Sequence, residues 1–301
     1  QPYRTAQQDL VLAPLGLRQS TFAPATVQHR AHAAGHGPGP APVMPVFLPR
    51  NVDPAGGLWS TTRDQLRFAR FHLGDGTVDG ARLLRSETLQ RMRTPAVAIP
   101  GQPTLRVGMN WLVQELPGLG LVFHDGQTFG QSAQLVLVPE REFALALLTN
   151  SVPGGAIAAQ PVLLEALAGY LGIGPGGGQS APPPTTIPTA LTLPPEVLAQ
   201  YAGRYRIPSG TFALRLEGDT LVGSLEPTLV PGQIQPSNAD ALLAEATQPV
   251  PLKFLQEDLA VMVSAGVPTA VVFVRQPDGS VGWIDVGLRL VPKVGPVCDC
   301  E

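Results

Sequence analysis

The chain has two lysines, Lys253 and Lys293, against eighteen arginines. Val250 and Leu290 stand three residues before them, so no Ser-x-x-Lys occurs in the 301 residues. Cysteine is as scarce. Cys298 and Cys300 are the only two, one residue apart, which excludes an ordinary disulfide framework and leaves the redox compartment open. A net charge of -3 offers no basic surface for nucleic acid. Long apolar runs are missing too. The longest, Leu259 to Val274, is broken by Ser264, Gly266 and Pro268 and falls short of the roughly 20 residues of a membrane span, so it reads as a hairpin.

Several catalytic signatures are also absent. The glycine-flanked serine elbow Gly-x-Ser-x-Gly does not occur; Gly130-Gln-Ser132-Ala-Gln134 comes nearest and fails at its last position. His29, His32, His36, His72 and His124 show no zinc spacing, and the His32-x-x-x-His36 pair is followed at once by glycine and proline, so a loop is expected there and neither metal nor cofactor. Ser60 and Ser132 read as a helix cap and a strand residue. Asn150 reads as a strand end whose side chain bonds to backbone.

What is present is organised in two parts. A length of 301 suits about two domains. The composition divides it into residues 1–172, a linker over 173–195 rich in glycine and proline, and residues 196–301. In the first part, Thr61-x-x-Asp64 opens an amphipathic run with Leu66, Ala69 and Leu73 on one face, closed by Gly74. Ser86 is placed to cap a short helix that buries Leu89 and Met92. Pro161 to Leu171 predicts a helix with Leu163, Leu164, Leu167 and Leu171 toward a core. The last part carries apolar runs at 212–216, 221–225, 241–244, 259–263, 270–274 and 281–291, with the turn signal Pro277-Asp-Gly-Ser280. Such short strands predict a small antiparallel barrel or sandwich.

The stretch Gly108 to Asn150 is the most informative. Gly108 to Glu115 and Leu119 to His124 read as one hairpin about Pro117-Gly118, and Gln134 to Val138 with Phe143 to Leu148 as another, joined through Pro139-Glu-Arg-Glu142. Between them, His124-Asp125-Gly126-Gln127-Thr-Phe-Gly130 interrupts the strand pattern with polar residues and two glycines, as suits a segment lying beside a substrate. Being adjacent on a strand, His124 and Asp125 should point to opposite faces and form no catalytic dyad.

His-Asp-Gly on a strand, a glycine four residues on, a Pro-Glu-Arg turn and an apolar strand ending Leu-Thr-Asn150 resemble the serine beta-lactamase and penicillin-binding-protein-like hydrolases, in their class C-like branch. Val11-Leu-Ala-Pro-Leu-Gly-Leu17, Pro54-Ala-Gly-Gly-Leu-Trp-Ser-Thr-Thr-Arg-Asp64 and Arg85-Ser-Glu-Thr-Leu-Gln-Arg-Met92 are similar to that family's flanking segments, in the family's order. The opening of the last part, around Tyr201-Ala-Gly-Arg-Tyr205, is similar to the lipocalin-like barrel appended to many of these hydrolases. The resemblance implies an α+β fold, a partial antiparallel sheet with packed helices followed by a small all-β barrel. It implies a serine hydrolase acting on a small-molecule ester, amide or lactam through an acyl-enzyme. His124, Asp125, Gly126 and Gln127 would form the active-site wall, with the Gln127 N–H serving the oxyanion.

The family's nucleophile belongs to Ser-x-x-Lys and its second proton-transfer group to Tyr-x-Asn. Neither is here: none of Tyr3, Tyr170, Tyr201 and Tyr205 has asparagine two positions later. Both motifs precede the Pro-Leu-Gly segment in the family, so the expectation is that the chain is the carboxyl-terminal part of a bacterial hydrolase and inactive as given. The alternative is a non-catalytic binding module or degenerate remnant. No signal peptide is visible, which leaves periplasmic and secreted locations open. An uncovered sheet edge is expected to promote self-association.

Overall fold

A computed structural model divides the chain into two compact units, residues 1–183 and 184–301. It describes residues 1–37, 40–44, 46–99, 102–116, 118–128, 130–172, 190–207, 210–227, 244, 247–264, 267–286 and 290–296. Residues 173–189 of the expected linker, Pro117, 241–243 of an expected apolar run, and Cys298 and Cys300 lie outside the described residues.

The first unit begins with the short helices α1 (Tyr3–Gln7), α2 (Pro24–Gln28) and α3 (Asp53–Gly56), then α4 (Thr62–Leu73). In α4 the Thr61 hydroxyl accepts the Asp64 N–H, so the cap is where the sequence put it. The Asp64 carboxylate turns away, to the Gln19 N–H and Ser20 hydroxyl, both at 2.8 Å. The buried side of α4 holds Ala69, Phe71 and His72, while Leu66, expected on the core face, is exposed. Ala69 is buried and Leu73 packs on the same cluster as expected, and the aromatic residues Phe68, Phe71 and His72 widen that face to the side away from Leu66.

A small hairpin follows, β1 (Thr77–Val78) with β2 (Ala81–Arg82), and then α5 (Ser86–Arg93). Ser86 is not the cap. Arg85 precedes the first turn, and no side-chain bond closes it. Leu89 is fully buried as expected.

Six antiparallel strands make the main sheet, in chain order: β3 (Val97–Ile99), β4 (Gln102–Val107), β5 (Leu112–Leu116), β6 (Leu119–Gln127), β7 (Ser132–Val138) and β8 (Phe143–Thr149). Helix α6 (Val152–Leu171) follows. It starts nine residues before the expected Pro161, because Ser151 caps it by accepting the Gly154 N–H and Pro161 sits on its exposed side. One sheet face packs Trp111, Val113, Val122, Leu135 and Leu137 against Ala69 of α4. The other packs Leu119, Leu121, Val136 and Val138 against Leu163 and Leu167 of α6.

In the second unit, α7 (Pro195–Tyr201) leads into a closed eight-stranded barrel: β9 (Gly203–Ile207), β10 (Gly210–Glu217), β11 (Thr220–Pro227), β12 (Val250–Gln256), β13 (Leu259–Ser264), β14 (Val267–Arg275), β15 (Val281–Val286) and β16 (Leu290–Gly295). All neighbours are antiparallel, and β16 returns to β9. The expected run 281–291 is thus two strands. The core contains Tyr201, Tyr205, Leu214, Phe254, Phe273 and Ile284, all but inaccessible. A methyl group on Gly223 would press into Phe212, Leu214 and Leu252, so packing there is tight.

Candidate active site

The expected break at His124 is not one. Strand β6 runs on through Gln127, because β7 pairs with it residue by residue: His124 with Leu135, Asp125 with Gln134, Gly126 with Ala133, Gln127 with Ser132. The ladder overrides the low strand propensity of Asp-Gly. His124 shares the α4 face with Leu135, and Asp125 shares the α6 face with Gln134, so the two side chains diverge. All four residues from His124 to Gln127 are exposed.

On its other side β6 loses its partner. Pairing with β5 runs from Leu116–Leu119 to Leu112–Phe123 and stops. Just before Leu112 the chain turns away, with the Gly108 N–H on the Trp111 carbonyl at 2.8 Å and Asn110 at φ +60°. Antiparallel strands aim alternate residues' peptide groups to alternate sides. Leu116 and Leu119 close a two-residue connection, so odd-numbered residues of β6 face β5; the Thr128 N–H on the Gln131 carbonyl, 2.9 Å, confirms that even-numbered ones face β7. The N–H and C=O groups of Asp125 and Gln127 therefore face outward where β5 has ended. No described residue bonds to them.

A third feature was not anticipated from sequence. Residues 33–36 cross the turn that follows Gln127. The His36 N–H lies 2.8 Å from both the Gly130 and the Asn150 carbonyls, the Gln131 amide donates to the Ala33 carbonyl at 3.1 Å, and the Asn150 amide donates to the Ala34 carbonyl at 3.0 Å. Gly35 and Gly130 touch backbone to backbone. Helix α3 borders the same turn: a methyl on Gly56 would lie 3.8 Å from Thr128 Cγ2 and 3.4 Å from Leu48 Cδ1. Gly108-Met-Asn110, read above as the start of a strand, is a turn before β5 begins at Leu112, and its glycine and asparagine are turn residues. The 33–36 crossing left no such signal beyond its glycine. Among the described residues no group of three or more His, Cys, Asp or Glu side chains is placed to hold a metal ion.

A model of the beta-lactamase family matches residues 1–169, more than half of the chain. The chain belongs to the beta-lactamase family. Penicillin-binding protein 4 of Amycolatopsis lactamdurans is 34% identical over 160 residues, 50% of this chain and 42% of that protein. An uncharacterized protein of Mycobacterium tuberculosis (strain CDC 1551 / Oshkosh) is 54% identical over 56 residues, 19% of this chain and 13% of that protein. The crystal structure of SurE with D-Leu aligns at a TM-score of 0.64 and 25% identity, covering 96% of this chain and 62% of SurE. The chain thus spans less than half of the penicillin-binding protein and under two thirds of SurE. This beta-lactamase-family chain carries the appended barrel as a closed one. No described helix is long and apolar enough to cross a membrane.

Proposed function

We propose that this chain supplies one wall of a serine-hydrolase site of the acyl-enzyme type, and that the nucleophile and its base are not among its 301 residues. The observation that carries this reading is the pair of outward peptide groups on Asp125 and Gln127, on a strand that also presents His124. A substrate carbonyl attacked by a serine becomes a tetrahedral oxyanion. The Gln127 N–H is the group to receive it, and one such donor is worth roughly 3 kcal/mol of transition-state stabilisation. The adjacent peptide groups hold an extended substrate in the manner of an added strand. His124, on the α4 face, forms the wall beside it.

The substrate class is a small-molecule ester, amide or lactam, and the D-Leu held by SurE makes D-leucine a suitable probe. A non-catalytic binding module is favoured over an active enzyme for the chain by itself, because no Ser-x-x-Lys is available. Self-association through the open edge of β8 belongs to the same reading.

Two measurements test it. Fluorophosphonate and penicillin probes should leave the intact mass unchanged; a serine adduct would overturn the assignment of no nucleophile. D-leucine, more than L-leucine, should shift the backbone amide resonances of Asp125 to Gln127. Equal or absent shifts would remove the wall assignment.

A further inference from the structure

We infer that Asn150 is a positioning residue, which locks the 33–36 segment over the Gly130–Gln131 turn and so fixes the height of the Gln127 peptide group. The inference rests on the reading of Gln127 given above, but its geometry stands separately. Asn150 follows β8 directly, next to Thr149, which pairs with Ser132, which in turn pairs with Gln127. Its amide donates to the Ala34 carbonyl at 3.0 Å, and its own carbonyl accepts the His36 N–H at 2.8 Å. That same N–H lies 2.8 Å from the Gly130 carbonyl. The His36 N–H thus joins three segments, the 33–36 strip, the turn after Gln127 and the end of β8, and the Asn150 side chain adds a second bond from β8 to the strip.

The strip has no slack against the turn. A methyl on Gly130 would stand 2.6 Å from the Gly35 carbonyl carbon, and one on Gly35 would stand 2.9 Å from the Gly130 oxygen. The two backbones cross at a separation only glycines allow. The Val43 N–H on the Gly35 carbonyl, 2.8 Å, and the Gln131 amide on Ala33, 3.1 Å, complete the tie. Of these bonds, the Asn150 amide is the side-chain donor that reaches the strip from β8. Removing it leaves the strip tied to the end of β8 through His36, whose N–H donates to the Asn150 carbonyl, so the Ala33–Ala34 end of the strip is free to shift and the turn it rests on shifts with it.

The test is amide hydrogen exchange in the full chain, comparing wild type with Asn150→Ala and with the near-isosteric Asn150→Asp, which lacks the donor. Thr128, His36 and Val43 amides should exchange at least about tenfold faster in both variants, a change of 1.4 kcal/mol or more in local opening. Val122 and Leu137 should not change. Unaltered exchange at Thr128 and His36 would overturn the inference, and so would acceleration spread over the whole sheet, which marks a purely structural role. D-leucine titration runs in parallel: amide shifts at Gln127 in wild type should weaken in both variants. If D-leucine shifts nothing even in wild type, the functional reading of Gln127 fails, while exchange still decides the role of Asn150.

Discussion

His72 lies edge-on to Trp111, ring centroids 5.2 Å apart at 74°, with Phe68 tilted against its other side at 4.5 Å. The histidine is only 3% exposed and its Nδ1 has no hydrogen-bond partner. It joins α4 to the sheet as an apolar ring.

A pH dependence follows. Burial first, and the Arg93 charge second, lower the His72 pKa from 6.5 to about 4. The folded state refuses a proton that the unfolded chain accepts, so stability falls as pH drops from about 6.5 to about 4 and loses nothing more from this group below that. The shift corresponds to about 3 kcal/mol. Urea unfolding of wild type and His72→Phe at pH 7.5, 5.5 and 4.5 should show a smaller pH loss in the variant. Parallel losses would remove His72 as the cause.

Asp53 is buried, and its two carboxylate oxygens take both Nε and Nη2 of Arg4, which ties α1 to α3. Replacing Arg4 by methionine strands the carboxylate, at a cost of about 3 kcal/mol, whereas pairing Arg4→Met with Asp53→Asn should recover a large part of it. A double-mutant cycle on unfolding free energy checks the coupling.

The β8 edge is apolar from Phe143 to Leu148 and carries no charge, proline or bulge that would discourage pairing. Its even-numbered residues, Ala144, Ala146 and Leu148, turn their peptide groups away from β7, by the same alternation that opens β6. Sedimentation velocity should show concentration-dependent association of the chain, reduced by Leu148→Lys. A strictly monomeric wild type across the concentration range would contradict this.

In the barrel, Arg275 binds the Asp258 carboxylate at 2.9 Å, the Tyr201 hydroxyl at 3.2 Å, Gln200 Oε1 at 3.1 Å and the Gly279 carbonyl at 2.9 Å. Lysine reproduces the charge but not the fork, so Arg275→Lys should cost about 2 kcal/mol. Calorimetry on the full chain should show the loss in one unfolding transition only.

Local signals carried far in reading this chain, and long-range pairing set their limit. Thr61 and Gly74 bracket α4 because a cap and a stop act on their own neighbours. Leu66 was misplaced because the burying partner, Trp111 beside His72, comes from a turn forty residues on. His124-Asp-Gly-Gln127 read as an interruption; only the ladder with β7 makes it strand. At the site, resemblance singled out His124 to Gln127, and the structure places all four exposed on β6. Residues 33–36 were not singled out, since their role is to be crossed by a turn almost a hundred residues away.

The turn from Gly108 to Trp111 ends β5 early and leaves peptide groups, not side chains, facing outward. Such groups are indifferent to genetic drift. Short of proline, no substitution at Asp125 or Gln127 deletes the N–H, so both side chains can be exchanged and the same outward peptide groups kept. The turn decides instead: a sequence that let β5 run four residues further would cover the edge with its own chain. The positions that decide whether this edge stays open thus lie on the strand next door.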